Sequence, residues 1–187
     1  MKVLAISGSL RAESHNTALA RAVRDLAPDG VEVELYEGLA ELPPYDADTD
    51  GEDSPVAVRD LRERIAAADA LFVVTPEYNG SIPGVLKNAI DWASRPPHGE
   101  AVLWGKTVAV AGATTGQYGA IWAQQDLRRV LGIAGARVIE GEVPVARAQD
   151  KFDADGRLAH PVIEERLRAH VAALVLVAEA SPLVLAA

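Results

Sequence analysis

The sequence predicts one doubly wound α/β domain, a parallel sheet with helices on both faces. Short continuous apolar runs alternate with segments of helical periodicity, and the alternation repeats through five βα units. The length, 187 residues, suits a single domain spanning 1–187 and buries a core without staples.

Taken in order, Val3 to Ile6 is a short apolar run of the kind buried on both sheet faces. Asn16 to Leu26 places Leu19, Ala22, Val23 and Leu26 on one helical stripe. Val31, Val33 and Leu35 alternate with Glu32 and Glu34, the pattern of a half-exposed strand near a sheet edge. Residues 43 to 54 form an acidic, proline-bearing loop. Ser54-Pro55 then reads as an N-cap followed by proline at the first helical position, with Val58, Leu61 and Ile65 continuing the helix. Ala70 to Thr75 is the clearest strand, stopped by Pro76, and Val85, Leu86, Ala89, Ile90 and Ala93 stripe the helix behind it. Thr107 to Ala113 is a further buried strand, followed by a helix over 120–131. Arg137 to Glu142 reads as the fifth strand, and Ile163, Leu167, Val171, Leu174 and Val175 mark the last helix.

Composition excludes several chemistries. With no cysteine there is no disulfide scaffold, thiolate zinc site, cysteine-held iron–sulfur cluster or thiol nucleophile. The four histidines, His15, His98, His160 and His170, never fall in a metal-ligand spacing, so no metal is expected. A net charge of −9 opposes non-specific attraction to nucleic acid or anionic membrane. No window of ~20 apolar residues offers a membrane span. The first residues lack the length and cleavage site of a signal peptide, which predicts a cytoplasmic protein.

Sheets of this kind bind ligands at the carboxyl ends of their strands, near the switch in strand order. The loops after strands one, three and four are therefore the candidate site. The first, Ser7 to Thr17, opens a helix whose N-terminus offers free amides and the positive end of a dipole. It has neither G-x-G-x-x-G nor G-K-[ST], so it is not a dinucleotide loop or an NTPase P-loop. Its hydroxyl and amide donors and one arginine suit a terminal phosphate monoester. The plainer alternative makes Ser14 an N-cap and Ser7 and Ser9 turn residues; the density of donors favours the anion site. The second loop, Pro76 to Pro83, is stiffened by prolines at both ends and turned by Asn79-Gly80, which aims backbone groups outward as a planar heterocycle requires. Tyr78 is its only aromatic. The third, Thr114 to Gly119, is a glycine-bearing turn into a helix.

The segment TPEYNGSIPGVLKNAIDWASRP (Thr75 to Pro96), together with GSLRAESHN (Gly8 to Asn16), closely resembles the NADPH-dependent FMN reductase family. These are flavodoxin-like enzymes that include quinone, chromate and azo-dye reductases, and the resemblance runs from Val3 to Leu158. It implies FMN bound without a covalent link, with NADPH or NADH as co-substrate. By this resemblance Ser9, Arg11, Asn16 and Thr17 would hold the phosphate, with Ser14 and His15 close by. Pro76, Glu77, Tyr78, Asn79, Gly80 and Ser81 would frame the isoalloxazine. Thr115, Gly116 and Gly119 match the residues that the family sets against the flavin, whereas Tyr118 and Ala120 depart from its common Gly-Gly. A ping-pong hydride transfer to quinone-type, chromate, azo or flavin acceptors follows, and no side chain is assigned a catalytic role. That agrees with the residues, which offer no G-x-S-x-G elbow and no acid–base constellation. Tyr78 is the candidate for positioning substrate. A homodimer or homotetramer is expected, partly from the resemblance and partly because Ile90, Trp92 and Ala93 present apolar surface on more than one side of their helix. The competing reading is a flavodoxin-type FMN electron carrier serving a protein partner. A receiver-type signalling domain fails, because Ile6-Ser7 and Val74-Thr75 stand where it needs carboxylates.

Overall fold

A computed structural model describes residues 1–51, 53–96 and 101–180; Glu52 of the acidic loop and His98 lie outside them. Strands β1 (Lys2–Ser7), β2 (Glu32–Tyr36), β3 (Ala70–Thr75), β4 (Thr107–Ala113) and β5 (Arg137–Val138) form a parallel sheet in the order β2-β1-β3-β4-β5. Helices α1 (His15–Asp25), α2 (Val56–Ala67), α3 (Gly84–Ala93), α4 (Ile121–Ile133) and α5 (Pro161–Ala180) cover it. The chain reverses its direction across the sheet between β1 and β3, which puts the switch point beside the first loop.

Alternation within the strands explains the two layers. Leu4, Ile6, Leu71, Val73, Val108 and Val110 pack against α2, α3 and α4, while Val3, Ala5, Phe72, Val74, Ala109 and Ala111 pack against α1 and α5. Both faces are covered, so β1, β3 and β4 are apolar almost throughout, and only the edge strand β2 alternates. No described helix is long and apolar enough to cross a membrane.

Three expectations are corrected. The fifth strand is two short ones: β5 pairs Arg137 with Thr107, whereas β6 (Val143–Val145) pairs Val143 with Ala111, leaving two extra residues between them. Gly141, at φ +91°, turns this bulge, and the Arg128 guanidinium pins it by donating to the carbonyls of Ile139 and Gly141. Ser54 does not cap α2; Pro55 takes that position and the Ser54 hydroxyl donates to the Gly51 carbonyl. Ile90 and Ala93 are buried, at 6% and 1% exposure, and Trp92 presents no surface at all. It is 0% exposed, its indole N–H donates to the Pro43 carbonyl at 2.8 Å, and its ring meets Tyr45 edge-on at 4.8 Å.

Candidate functional site

The β1 loop leaves the sheet through Gly8, whose N–H donates to the Val74 carbonyl at 2.8 Å. A Cβ on Gly8 would lie 2.9 Å from the Leu86 side-chain tip and 3.4 Å from Pro76, so the loop runs close over the start of α3 and the root of the second loop. Ser14 caps α1, its hydroxyl accepting from the amides of Asn16 and Thr17 at 3.1 and 3.3 Å. The hydroxyls of Ser7 and Thr17 share a hydrogen bond of 3.0 Å, and Ser9 lies in the bend before the helix. Arg11 is exposed, and among the described residues its guanidinium takes no hydrogen bond or ion pair. His15 stacks on Phe152 at 5.4 Å; burial first, and Arg11 second, hold its imidazole below the ordinary histidine value, so the ring is neutral at pH 7.

Asn16 departs from its expected role. It is 4% exposed, and both ends of its amide bond the backbone of Ala113: Nδ2 donates to the carbonyl and Oδ1 accepts from the N–H, each at 2.9 Å. The side chain braces α1 against the end of β4.

The second loop is a two-residue hairpin. Tyr78 and Ser81 exchange backbone hydrogen bonds of 3.0 and 3.1 Å, and Asn79 and Gly80 both have positive φ, 54° and 75°. Pro76 is buried at its root, while Tyr78, Asn79 and Gly80 are exposed at its tip. Two of its side chains turn sideways to α4. The Glu77 carboxylate accepts from the Ala123 amide at 3.1 Å and so caps that helix from outside its own loop. The Ser81 hydroxyl donates to Asp126, and this bond, then one from Arg129, holds the Asp126 carboxyl below its ordinary value.

In the third loop Thr115 and Gly116 are exposed, and the Gly116 carbonyl accepts from the Arg147 amide at 2.8 Å. Gly119, at φ +59°, is buried against β6, where a Cβ would lie 2.6 Å from the Val145 nitrogen. Ala120 is also left-handed, at φ 61°. Gln124 holds the same turn from α4, its amide donating to the Gly119 carbonyl at 2.9 Å.

The three loops thus meet at the carboxyl edge of β1, β3 and β4. Ser9, Arg11, Ser14, His15 and Thr17 lie in the first loop and the start of α1, and Tyr78, Asn79, Gly80, Thr115 and Gly116 lie in the other two loops. Asn16, Gly119 and the side chains of Glu77 and Ser81 work behind that surface. Ala123, Gln124, Asp126 and Arg147 escaped sequence reasoning, because their partners lie in other loops and no local pattern marks them.

Comparison with known proteins supplies an independent reading. A family model described as NADPH-dependent FMN reductase matches residues 1–150. The chain is 45% identical over 174 residues to an NAD(P)H-dependent FMN reductase of Pseudomonas aeruginosa, covering 90% of this chain and 92% of that one. It is 41% identical over 140 residues to a quinone reductase of Escherichia coli, covering 74% and 73%. A flavoenzyme NAD(P)H:(acceptor) oxidoreductase from Paracoccus denitrificans superposes with a TM-score of 0.84 at 36% identity, covering 97% of this chain and 99% of that one.

Proposed function

Because the chain belongs to the NADPH-dependent FMN reductase family, we propose that Ser9, Arg11 and Thr17, with Ser14 and His15 beside them, hold the phosphate of FMN, and that the second and third loops frame its ring. The protein is an NAD(P)H-dependent, FMN-using oxidoreductase of the quinone-reductase type. The site's residues fit that cofactor. A hydroxyl-rich bend with an unpartnered arginine at a helix N-terminus is a donor set for a phosphate monoester. The observation that carries the assignment is the convergence of this bend with the Asn79-Gly80 hairpin at the β1/β3 switch point.

Bound FMN supplies the two-electron redox chemistry that joins NAD(P)H oxidation to reduction of a quinone-type, chromate, azo or flavin acceptor. The protein's part is binding and orientation. Arg11 and the hydroxyls anchor the phosphate, and the backbone of Pro76 to Ser81 offers donors and acceptors to the ring edge. Tyr78 shapes the space that NAD(P)H and acceptor occupy in turn, the ping-pong order. Cofactor released by heat should chromatograph as FMN, and purified protein should show visible flavin bands with steady NADPH turnover. Release of FAD, or flavin bands without turnover, would overturn the assignment.

Arg11→Ala should weaken FMN about tenfold in Kd while leaving the melting curve in place. A charge-assisted bond to phosphate contributes ~1.5–3 kcal/mol, and exposure puts Arg11 at the low end. An unchanged Kd from fluorescence titration removes Arg11 from the site.

The reading includes a subunit contact, as a dimer or a dimer of dimers. A groove of about 410 Å³ between α3 and α4 is lined by Ile90, Trp104, Val130 and Ile133, with Trp104 and Ile133 exposed. Sedimentation at micromolar concentration showing only monomer contradicts it. Use of NAD(P)H supports a cytoplasmic protein, which cell fractionation checks.

A further inference from the structure

We propose that Tyr118 and Trp122 form a stacking platform at the mouth of the site that favours extended planar acceptors over compact, non-planar ones. The proposal rests on the redox reading above and deepens it to an acceptor class.

Three large aromatic side chains are left in solvent at this one edge: Tyr78, Tyr118 and Trp122, at 55%, 60% and 47% exposure. Tyr118 ends the exposed part of the third loop, and Trp122 lies in the first turn of α4. Their ring centroids are 4.8 Å apart with a tilt of 58°, so neither ring lies flat over the other. The hydrogen bond between Glu77 and the Ala123 amide joins the immediate chain neighbours of Tyr78 and Trp122. Loop two is thereby tied to the first turn of α4, which carries Trp122.

The backbone between the two platform residues is fixed. Gly119 and Ala120 are both left-handed, the Ile121 amide donates to the Tyr118 carbonyl at 3.2 Å, and Gln124 holds the Gly119 carbonyl. A platform rigid before binding loses little conformational freedom when a ligand arrives. The ligand chemistry follows from the rings. Phenol and indole present electron-rich faces, and oxidised quinones and azo compounds are electron-poor planar systems that stack on them. Neither residue offers an ionised group, so a compact anionic acceptor gains nothing there.

The test compares 1,4-naphthoquinone with ferricyanide as acceptors for the parent enzyme and a Tyr118→Gly, Trp122→Ala double variant. The ratio of the naphthoquinone KM to the ferricyanide KM should rise about tenfold, the scale of losing an aromatic contact at each ring, and Trp122→Phe alone should keep most of the parent's ratio. An unchanged ratio in a variant that retains its visible flavin bands overturns the platform and leaves the FMN assignment standing; a parent without flavin overturns both. A parent dimer that becomes monomeric in the variant also overturns it, because the rings then belong to a second copy. A second readout holds even if the double variant does not fold: naphthoquinone should quench a component of the parent's tryptophan fluorescence that Trp122→Phe lacks, and equal quenching in the two proteins overturns the proposal.

Discussion

Asn16→Ala is expected to lower the stability of the fold by about 3 kcal/mol and to leave the FMN affinity of the folded fraction nearly unchanged. The substitution strips the Ala113 N–H and carbonyl of their 2.9 Å partners at a buried position. Each buried polar group left without a partner costs ~1–3 kcal/mol. The Ser14 cap and the α1 amides remain, so the phosphate donors are not removed with the brace. Urea unfolding beside a flavin titration separates the outcomes. A stable variant with weakened FMN would return Asn16 to the phosphate site, where the family resemblance had put it.

Gly119→Ala is expected to cost about 2–4 kcal/mol for a related reason. A residue with a side chain at φ +59° bears ~1–2 kcal/mol of backbone strain. Its Cβ would also meet the backbone nitrogen of Val145 at 2.6 Å and the Pro144 carbonyl carbon at 2.7 Å, and overpacking of this kind adds ~1–3 kcal/mol. Those neighbours are main chain of β6, which cannot swing aside as a flexible side chain would. The glycine is demanded by the sheet behind the loop, so the melting temperature should fall before any kinetic constant changes. Unaltered melting with a raised KM for NADPH would show instead that Gly119 faces the ligand.

Both cases mark where sequence reading succeeded and where it stopped. Strands β3 and β4 were legible to the residue, because a strand buried on both faces is written as an unbroken apolar run. The edge position of β2 was legible from its alternation, and the left-handed turn from the Asn79-Gly80 pair, since few residue types tolerate that backbone. The capped start of α1 was legible too, from Ser14 ahead of the helical stripe. These are properties of a segment by itself, set by steric preference and by which of its faces is buried.

What each side chain in those loops bonds to is a different kind of fact. Asn16 and Ala113 are 97 residues apart, and Glu77 and Ala123 are 46 apart. Neither pairing leaves a local pattern. The same asparagine is a phosphate donor or a brace according to which strand end lies beside it, and the strand order β2-β1-β3-β4-β5 decides that. The split of the last strand had only Gly141 as a local signal, and Arg128 of α4 pins the bulge from another layer. The sequence by itself determined most of the secondary elements, the parallel sheet and the three loops at its carboxyl edge. Only the tertiary structure decided which side chains of those loops bond to distant backbone and which stay free, because a hydrogen bond forms with whatever packing brings within 3 Å or so, however far along the chain it lies.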